Sequence, residues 1–159
     1  MRILAISGSL RSASKNTELL HALAALDPSI TLYENIGELP HFNSDVDDAG
    51  APQPVLDYRE QLRAADLIVI SSPEYAHGVP GVMKNALDWV VGSGELMDKP
   101  IVLINASPQS KFAIPQLIET LTVMSAKIAA AFTLFPIEET ALRSVIEQLH
   151  AIDTTARSS

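Results

Sequence analysis

Cysteine is absent from the 159-residue sequence. Without a thiol, the chain cannot form disulfides or use a cysteine nucleophile. It also cannot hold zinc or an iron–sulfur cluster through cysteine ligands. Any redox chemistry performed by this chain must therefore come from a cofactor.

Positive charge is scarce, because 11 lysines and arginines face 19 aspartates and glutamates, for a formal net charge of −8. Such a chain repels nucleic acid and anionic membranes, and we expect neither as a partner.

Long hydrophobic runs are also missing. The longest mostly apolar stretch, 128–137, is about half of the length needed to cross a bilayer, and 3–6 is too short for a signal-peptide core. We expect a cytoplasmic protein.

Apolar runs and helical periodicities alternate along the chain. Continuous runs such as Ile3-Leu4-Ala5-Ile6 are typical of strands buried on both faces. Strands are predicted at 3–6, 30–33, 67–70, 101–104 and within 127–135, and helices at 16–26, 55–65, 80–91, 114–124 and 142–152. This alternation predicts one α/β domain over 1–159, with a five-stranded parallel sheet in the order 2-1-3-4-5 and five helices covering both faces. Residues 37–54 are expected to be irregular, and 153–159 to be a frayed tail.

Polar and turn-forming residues concentrate after the first and third predicted strands, in residues 7–17 and 71–81. In open α/β sheets, ligands bind beyond the carboxyl ends of the strands, where the strand order reverses. In the 2-1-3-4-5 order that point lies between strands one and three. The sequence therefore predicts a ligand site formed by these two loops.

The first loop suits a phosphate group. The start of a helix offers free N–H groups and a favourable dipole, Ser9, Ser14 and Thr17 add hydroxyls, Asn16 adds an amide, and Arg11 adds a cationic fork. The glycine and lysine spacing of a P-loop is not met, and one glycine stands where a dinucleotide fingerprint needs three. The alternative is that these are ordinary turn and capping residues, with Asn16 capping the helix.

The second loop suits a flat ligand. Pro73 and Pro80 stiffen it, while its glycines allow the backbone to approach a ligand closely. Glu74 and His77 have the composition of an acid–base pair, but we favour a loop glutamate and an exposed histidine. No catalytic side chain and no metal site are predicted.

The chain contains two spaced motifs, GSLRxxSxN from Gly8 and SPEYxxxVPGxxKNALDW from Ser72. Together they resemble the NADPH-dependent FMN reductase family, which includes chromate, quinone and azo-dye reductases. The resemblance extends from residue 1 to about residue 104. The fold that it implies is flavodoxin-like, a three-layer sandwich in agreement with the predicted sheet.

The resemblance implies that the ligand is FMN. The residues that match the family's 5′-phosphate site are Ser9, Arg11, Ser14, Asn16 and Thr17. Those that match its isoalloxazine site, mostly through backbone groups, are Pro73, Glu74, Tyr75 and Ala76, where family members often carry asparagine at position 76. Ser107 matches the start of the family's serine- and glycine-rich loop after strand four. Residues 107–111 contain no glycine, however, and Pro108 lacks an N–H. We therefore expect a weaker hold on the ring than on the phosphate.

The resemblance also implies an activity. NADPH or NADH would give a hydride to bound FMN, and a small acceptor such as a quinone would then receive it. The family's usual state is a homodimer or homotetramer, with residues 84–89 as a candidate contact. Two alternatives stay open: an electron carrier or flavin store that reacts poorly with NAD(P)H, and a non-catalytic regulatory module with a vestigial site.

Overall fold

The computed structural model describes the backbone of residues 1–156 and the side chains of residues 1–152. Five parallel strands form one sheet in the predicted order β2-β1-β3-β4-β5. In chain order they are β1 (Ile3–Ser7), β2 (Ile30–Tyr33), β3 (Leu67–Ser71), β4 (Pro100–Asn105) and β5 (Lys127–Thr133). Ile3 pairs with Ile30 on one side and with Leu67 on the other, so the two polar loops leave adjacent strands at the same edge of the sheet.

Within residues 1–156 the chain forms six α-helices. They are α1 (Lys15–Leu26), α2 (Ser44–Gly50), α3 (Gln53–Ala64), α4 (Gly81–Val91), α5 (Ala113–Val123) and α6 (Glu139–Ala156). Pro80 precedes the first residue of α4 and Gly92 follows its last, which confirms the predicted bounds of that helix. No helix in this part of the chain is long and apolar enough to span a membrane.

The prediction that residues 37–54 are irregular, and with it the count of five helices, is wrong. A short 3₁₀ helix (Asn35–Glu38) begins before this segment, and α2 lies inside it. Asn43 caps α2, since its side chain accepts a hydrogen bond from the N–H of Asp45 at 2.9 Å. No residue of α2 is buried. Its sequence therefore has no apolar face, and apolar periodicity is the main signal by which a sequence predicts a helix.

Two apolar cores lie on the two faces of the sheet, because alternate residues of each strand point to opposite sides. Leu4 and Ile6 of β1 join the core under α3, α4 and α5, whereas Ile3 and Ala5 join the core under α1 and α6. The result is the predicted three-layer sandwich.

Helix α6 continues through positions 153–156 of the tail expected to fray, and 157–159 lie outside the described residues.

A buried arginine fastens α2 to the rest of the fold. The guanidinium of Arg59 on α3 donates to both carboxylate oxygens of Asp47 on α2, at 3.0 and 2.8 Å. The same group donates to the carbonyl of Trp89, at the last turn of α4. Arg59 thus satisfies an end-of-helix carbonyl and holds the α2 segment against α3 and α4. Hydrogen bonds from Arg59 lower the pKa of Asp47.

Candidate functional site

Local hydrogen bonds hold the β1–α1 loop (residues 8–14) between the end of β1 and the first turn of α1. The hydroxyls of Ser7 and Thr17 lie 2.7 Å apart, and Ser9 donates its N–H to Ser7 Oγ at 3.2 Å. Ser14 is the N-cap of α1, because its Oγ accepts the N–H of Thr17 at 3.3 Å. The alternative in which Asn16 caps the helix is wrong, since Asn16 already lies inside it.

A run of backbone donors in this loop has no protein partner. Within residues 1–156, no hydrogen bond uses the N–H groups of residues 12–16. The guanidinium of Arg11 makes no ion pair or hydrogen bond with any described side chain or backbone group, and the side chain is exposed. Successive free N–H groups at a helix start, with a free cation beside them, have the donors and charge that suit an anion, which makes this loop a candidate anion-binding site.

Gly8 allows the two polar loops to approach each other. A Cβ at this position would lie 2.3 Å from Ser72 Oγ and 2.9 Å from Ser72 Cβ, distances that real Cβ atoms do not reach. The N–H of Gly8 donates to the carbonyl of Ser71 at 2.8 Å, which joins the end of β1 to the end of β3. A side chain at position 8 would therefore push the first loop away from the second.

Asn16 lies at the junction of three loops. Its Oδ1 accepts from the Oγ of Ser71, the last residue of β3, at 2.9 Å and from the N–H of Ala106, the first residue after β4, at 3.3 Å. The side chain is buried, and its Nδ2 makes no hydrogen bond with the described residues. Asn16 therefore holds the loops after β1, β3 and β4 together, and only its Nδ2 is left to meet a ligand.

The β3–α4 loop (residues 72–80) contains a tight hairpin. Tyr75 and Gly78 exchange both backbone hydrogen bonds, at 2.9 and 3.0 Å. The two residues between them, Ala76 and His77, both have positive φ, at 52° and 61°. Asparagine and glycine suit this conformation better than alanine, so position 76 carries strain that those residues avoid.

The side chain of Glu74 extends from the β3–α4 loop to the N-terminus of α5. Its Oε2 accepts from the N–H groups of Lys111, Phe112 and Ala113 at 2.6–3.0 Å, and from Ser110 Oγ at 3.1 Å. These hydrogen bonds, the one from Phe112 first, lower the pKa of Glu74 to about 2 despite an opposing contribution from burial. The carboxylate is therefore ionised at neutral pH and serves as the N-terminal cap of α5.

Two further contacts join the β3–α4 loop to α5. Gln116 accepts the N–H of Val79 at 2.7 Å. The rings of His77 and Phe112 stack at 4.2 Å. Together with Glu74 they fix the second loop against α5, so this side of the site is already ordered in the protein.

The loop after β4 uses its polar groups internally. Ser107 Oγ lies 2.8 Å from Gln109 Oε1, and the N–H of Ser107 donates to the side chain of Asn105 at 3.1 Å. The N–H groups at 111–113 serve Glu74. The hydrogen-bond donors of this glycine-free segment are thus used within the segment or by Glu74, and few of them are left for a ligand.

The sequence model of the NADPH-dependent FMN reductase family matches residues 1–138. That span takes in all three loops of the site and exceeds the 104 residues over which the motifs resemble the family. The chain belongs to the NADPH-dependent FMN reductase family.

Two curated relatives illustrate this family membership. An NAD(P)H-dependent FMN reductase of Pseudomonas aeruginosa is 39% identical over 111 residues, which cover 67% of this chain and 60% of that protein. A 2-hydroxy-1,4-benzoquinone reductase of Burkholderia is 42% identical over 91 residues, which cover 56% of this chain and 49% of that protein. The chain thus matches roughly half of the length of these relatives.

The fold is also that of a solved structure, the flavoenzyme NAD(P)H:(acceptor) oxidoreductase of Paracoccus denitrificans. The TM-score is 0.78 at 24% sequence identity, with 99% of this chain and 97% of that chain covered. The likeness supports the flavodoxin-like architecture.

The cofactor that defines the FMN reductase family carries a phosphate monoester and a flat ring, and the free donors of this chain fit both. The unpaired N–H groups at 12–16 and the unpaired Arg11 suit a dianion. In the second loop, the N–H groups of Glu74, Ala76 and His77 donate no hydrogen bond to the described residues, and they suit the acceptor atoms of a ring.

Sequence reasoning missed two residues that shape this candidate site, and one role of a predicted residue. The ring contact predicted at Glu74 is mostly through backbone groups, whereas its carboxylate caps a helix that begins 39 residues later. Gln116 carries no sequence signal, since nothing marks a helix glutamine as a partner for a distant loop. Gly8 belongs to the first motif, and a glycine directly after a buried strand is a signal of close backbone approach that could have identified it.

Proposed function

We propose that this chain is an NAD(P)H-dependent, FMN-containing oxidoreductase that passes reducing equivalents to a small acceptor such as a quinone. The observation that carries the proposal is the run of unpaired N–H groups at 12–16 beside the unpaired Arg11. An anion-binding loop of this kind, at the switch point of a flavodoxin-like sheet, has the charge and position to hold a flavin phosphate. The names of the two curated relatives support the redox activity.

In the proposed complex, the β1–α1 loop binds the 5′-phosphate. The N–H groups of 12–16 and the guanidinium of Arg11 donate to its oxygens. Ser9 contributes a hydroxyl, Ser14 and Thr17 hold the first turn of α1 in place, and Asn16 contributes Nδ2 while its Oδ1 fixes the loops. Charge-assisted hydrogen bonds of this kind are about twice as strong as neutral ones.

The β3–α4 loop lies against the ring in this proposal. Pro73 and the exposed Tyr75 supply apolar surface, and the backbone N–H groups of Glu74 and Ala76 supply donors. Ser107, the residue expected to contact the ring from the loop after β4, lies in a segment whose donors are largely used. The ring is thus held by fewer contacts than the phosphate.

FMN supplies the hydride chemistry when it is bound, as cofactors do for reactions that amino-acid side chains cannot perform. The chain's own residues bind the phosphate, orient the ring through a hairpin fixed by Glu74 and Gln116, and stabilise negative charge with backbone donors. No side chain in the site is assigned as a general acid or base, and the low pKa of Glu74 argues against proton donation by that carboxyl.

A comparison of FMN with riboflavin tests the phosphate assignment. We expect Arg11→Ala to weaken FMN binding by about 1.5–3 kcal/mol, the scale of a hydrogen bond to a charged group, and to leave riboflavin affinity unchanged. Lys15→Ala removes the same charge from a side chain that pairs with Glu18, and serves as the matched control. Flavin fluorescence quenching measures all affinities. Equal FMN affinity in Arg11→Ala and wild type would refute the assignment.

Anaerobic mixing of the FMN-loaded protein with NADPH or NADH tests the reductase activity. Rapid bleaching of the flavin absorbance, followed by reoxidation with a quinone, is the expected result. A protein that binds FMN but is reduced very slowly is an electron carrier or a flavin store. A protein that binds no flavin and oxidises no NAD(P)H contradicts the proposal altogether.

The assembly and location of the protein complete the proposal. We propose a homodimer or homotetramer in the cytoplasm, where NAD(P)H is available, with α4 contributing to a subunit contact. Trp89 is not the contact residue, because its side chain is buried and donates to the carbonyl of Pro40 at 2.7 Å. The exposed Val91 at the end of α4 is the better candidate. Light scattering after size-exclusion chromatography, with Val91→Lys as the variant, measures the assembly.

A further inference from the structure

A cleft of about 280 Å³ lies beside the β1–α1 loop. Residues 9–12 form one wall, Thr17 and His21 of α1 form another, and the end of β2 closes it with Tyr33 and Glu34. The cleft therefore shares a wall with the proposed phosphate site but lies toward β2, whereas the proposed ring site lies toward β3. The proposed function uses the wall formed by the β1–α1 loop and leaves the side formed by His21 and the end of β2 without a role.

Three polar side chains around this cleft have no partner within the described part of the protein, and of these only Arg11 has a role in the proposed function. Arg11, His21 and Glu34 are all exposed, and none forms a hydrogen bond or ion pair with the described part of the chain. The remaining walls include the apolar side chains of Leu32 and Ile36. A cation, a free carboxylate and apolar surface within one small cleft match the three parts of a nucleotide: its phosphate, its ribose hydroxyls and its base.

The position of Glu34 adds a second argument. In open α/β sheets that bind dinucleotides, the diphosphate lies at the first strand–helix turn, and an acidic residue at the end of the second strand accepts the ribose hydroxyls. Glu34 directly follows β2 and lines the same cleft as the β1–α1 loop. This chain thus has the acidic residue in that position, although its first loop has one glycine instead of three.

Leu10 gives the cleft a fixed roof. A Cβ on Gly37 would lie 2.8 Å from Leu10 Cδ2, so the leucine side chain rests directly on the backbone of that glycine. Leu10 is nevertheless 66% exposed and lines the cleft. An apolar side chain held in this way offers a flat base a surface to pack against.

We propose that this cleft is a subsite for the adenosine half of a flavin dinucleotide, so that the chain binds FAD as well as FMN. The proposal rests on the proposed function, because the first phosphate must occupy the β1–α1 loop. The second phosphate then lies beside Arg11, the ribose hydroxyls donate to Glu34, and the base packs against Leu10, Leu32 and Ile36.

Separate titrations of the flavin-free protein with FMN and with FAD test this proposal, with flavin fluorescence as the readout. In wild type we expect FAD to bind at least as tightly as FMN. His21→Trp fills the cleft and is expected to weaken FAD about tenfold or more while FMN changes less than about twofold. Ala25→Trp places the same indole one turn along α1, outside the cleft, and should change neither affinity.

A second pair of variants tests the ribose contact. Glu34→Gln removes a charged acceptor from the cleft and should weaken FAD about tenfold, with FMN affinity unchanged. Glu38→Gln removes the same charge one turn along the chain, from a residue that does not line the cleft, and is the control.

Three outcomes would overturn the proposal. Wild-type protein that binds FMN but holds FAD at least tenfold more weakly refutes the subsite and leaves the proposed function intact. Failure to bind either flavin refutes both. If His21→Trp leaves the FAD-to-FMN ratio unchanged but raises the KM for NADH of FMN-loaded protein, the cleft serves the nucleoside of the reductant instead.

Discussion

The contact between Gly8 and Ser72 makes a quantitative prediction about how the two ligand loops are held together. In Gly8→Ala the new methyl carbon lies 2.3 Å from Ser72 Oγ, and Ser72 is almost fully buried, so its hydroxyl has no free space to enter. Overpacking of this kind costs about 2 kcal/mol. Loss of the hydrogen bond from Ser72 Oγ to the carbonyl of Pro73 costs about 1 kcal/mol more. We expect the free energy of unfolding to fall by about 3 kcal/mol.

Second substitutions at position 72 are expected to restore the lost stability to different extents. In the Gly8→Ala background, Ser72→Ala removes the closest atom but leaves a Cβ at 2.9 Å, and is expected to restore only part of the stability. Ser72→Gly leaves the Cα at 3.2 Å as the nearest atom and is expected to restore most of it. Urea denaturation followed by circular dichroism measures the free energies, and FMN titration shows whether the displaced loop still binds phosphate.

Gly81→Ala is the control for this series, because a Cβ at that position meets no atom within 4 Å. It should leave stability within about 0.5 kcal/mol of wild type, as surface substitutions usually do. Stability of Gly8→Ala within the same margin would refute the close approach of the two loops. Additive effects of the Gly8 and Ser72 substitutions would refute it as well, since residues in contact show coupling energies.

Three further predictions concern the elements around the site. The folded-state pKa of Glu74 lies below its ordinary value of 4.5, so its stabilising contribution is complete above that pH and is lost as the pH falls toward about 2. The difference in unfolding free energy between wild type and Glu74→Gln should therefore shrink over this range in urea titrations, and a constant difference contradicts the capping role. Arg59→Met should cost about 3 kcal/mol by urea denaturation, because a buried ion pair is broken, whereas Arg143→Met removes an exposed arginine whose partner Glu139 is also exposed and should cost below about 1 kcal/mol. Ala76→Gly should raise stability by about 0.5–1 kcal/mol in thermal melts, as it relieves a positive φ, and a lower melting temperature would count against the strained hairpin.

The sheet, and the edge at which the two polar loops meet, could be predicted because local signals determine them. The apolar runs that became β1, β3 and β4 are buried on both faces, and no other element type suits four successive apolar residues followed by a polar turn. The start of α4 was likewise visible, since proline is favoured there. These features depend only on neighbours within the same segment.

The contacts that order the site could not be predicted, because they join residues that are distant in sequence. Glu74 caps a helix through N–H groups 37–39 positions away, and Asn16 reaches Ala106 across 90 positions. The alternative that Asn16 caps α1 could not be decided from the sequence, because both serine and asparagine suit a cap and only the backbone conformation of Ser14 distinguishes them. Helix α2 was not predicted because it is held by Arg59, a residue of another helix, and not by an apolar face of its own.

The carboxylate of Glu74 also affects which ligands the site accepts. Of the three helices that begin beside the loops described here, α1 and α5 follow β1 and β4, and each start carries partial positive charge. At α5 the chain has already supplied the counter-ion, with Oε2 in contact with all three N–H groups at 111–113. At α1 it has supplied none. Of these two helix starts, only α1 keeps vacant donors, so the carboxylate of Glu74 disfavours an anionic group at α5 and leaves α1 available to one.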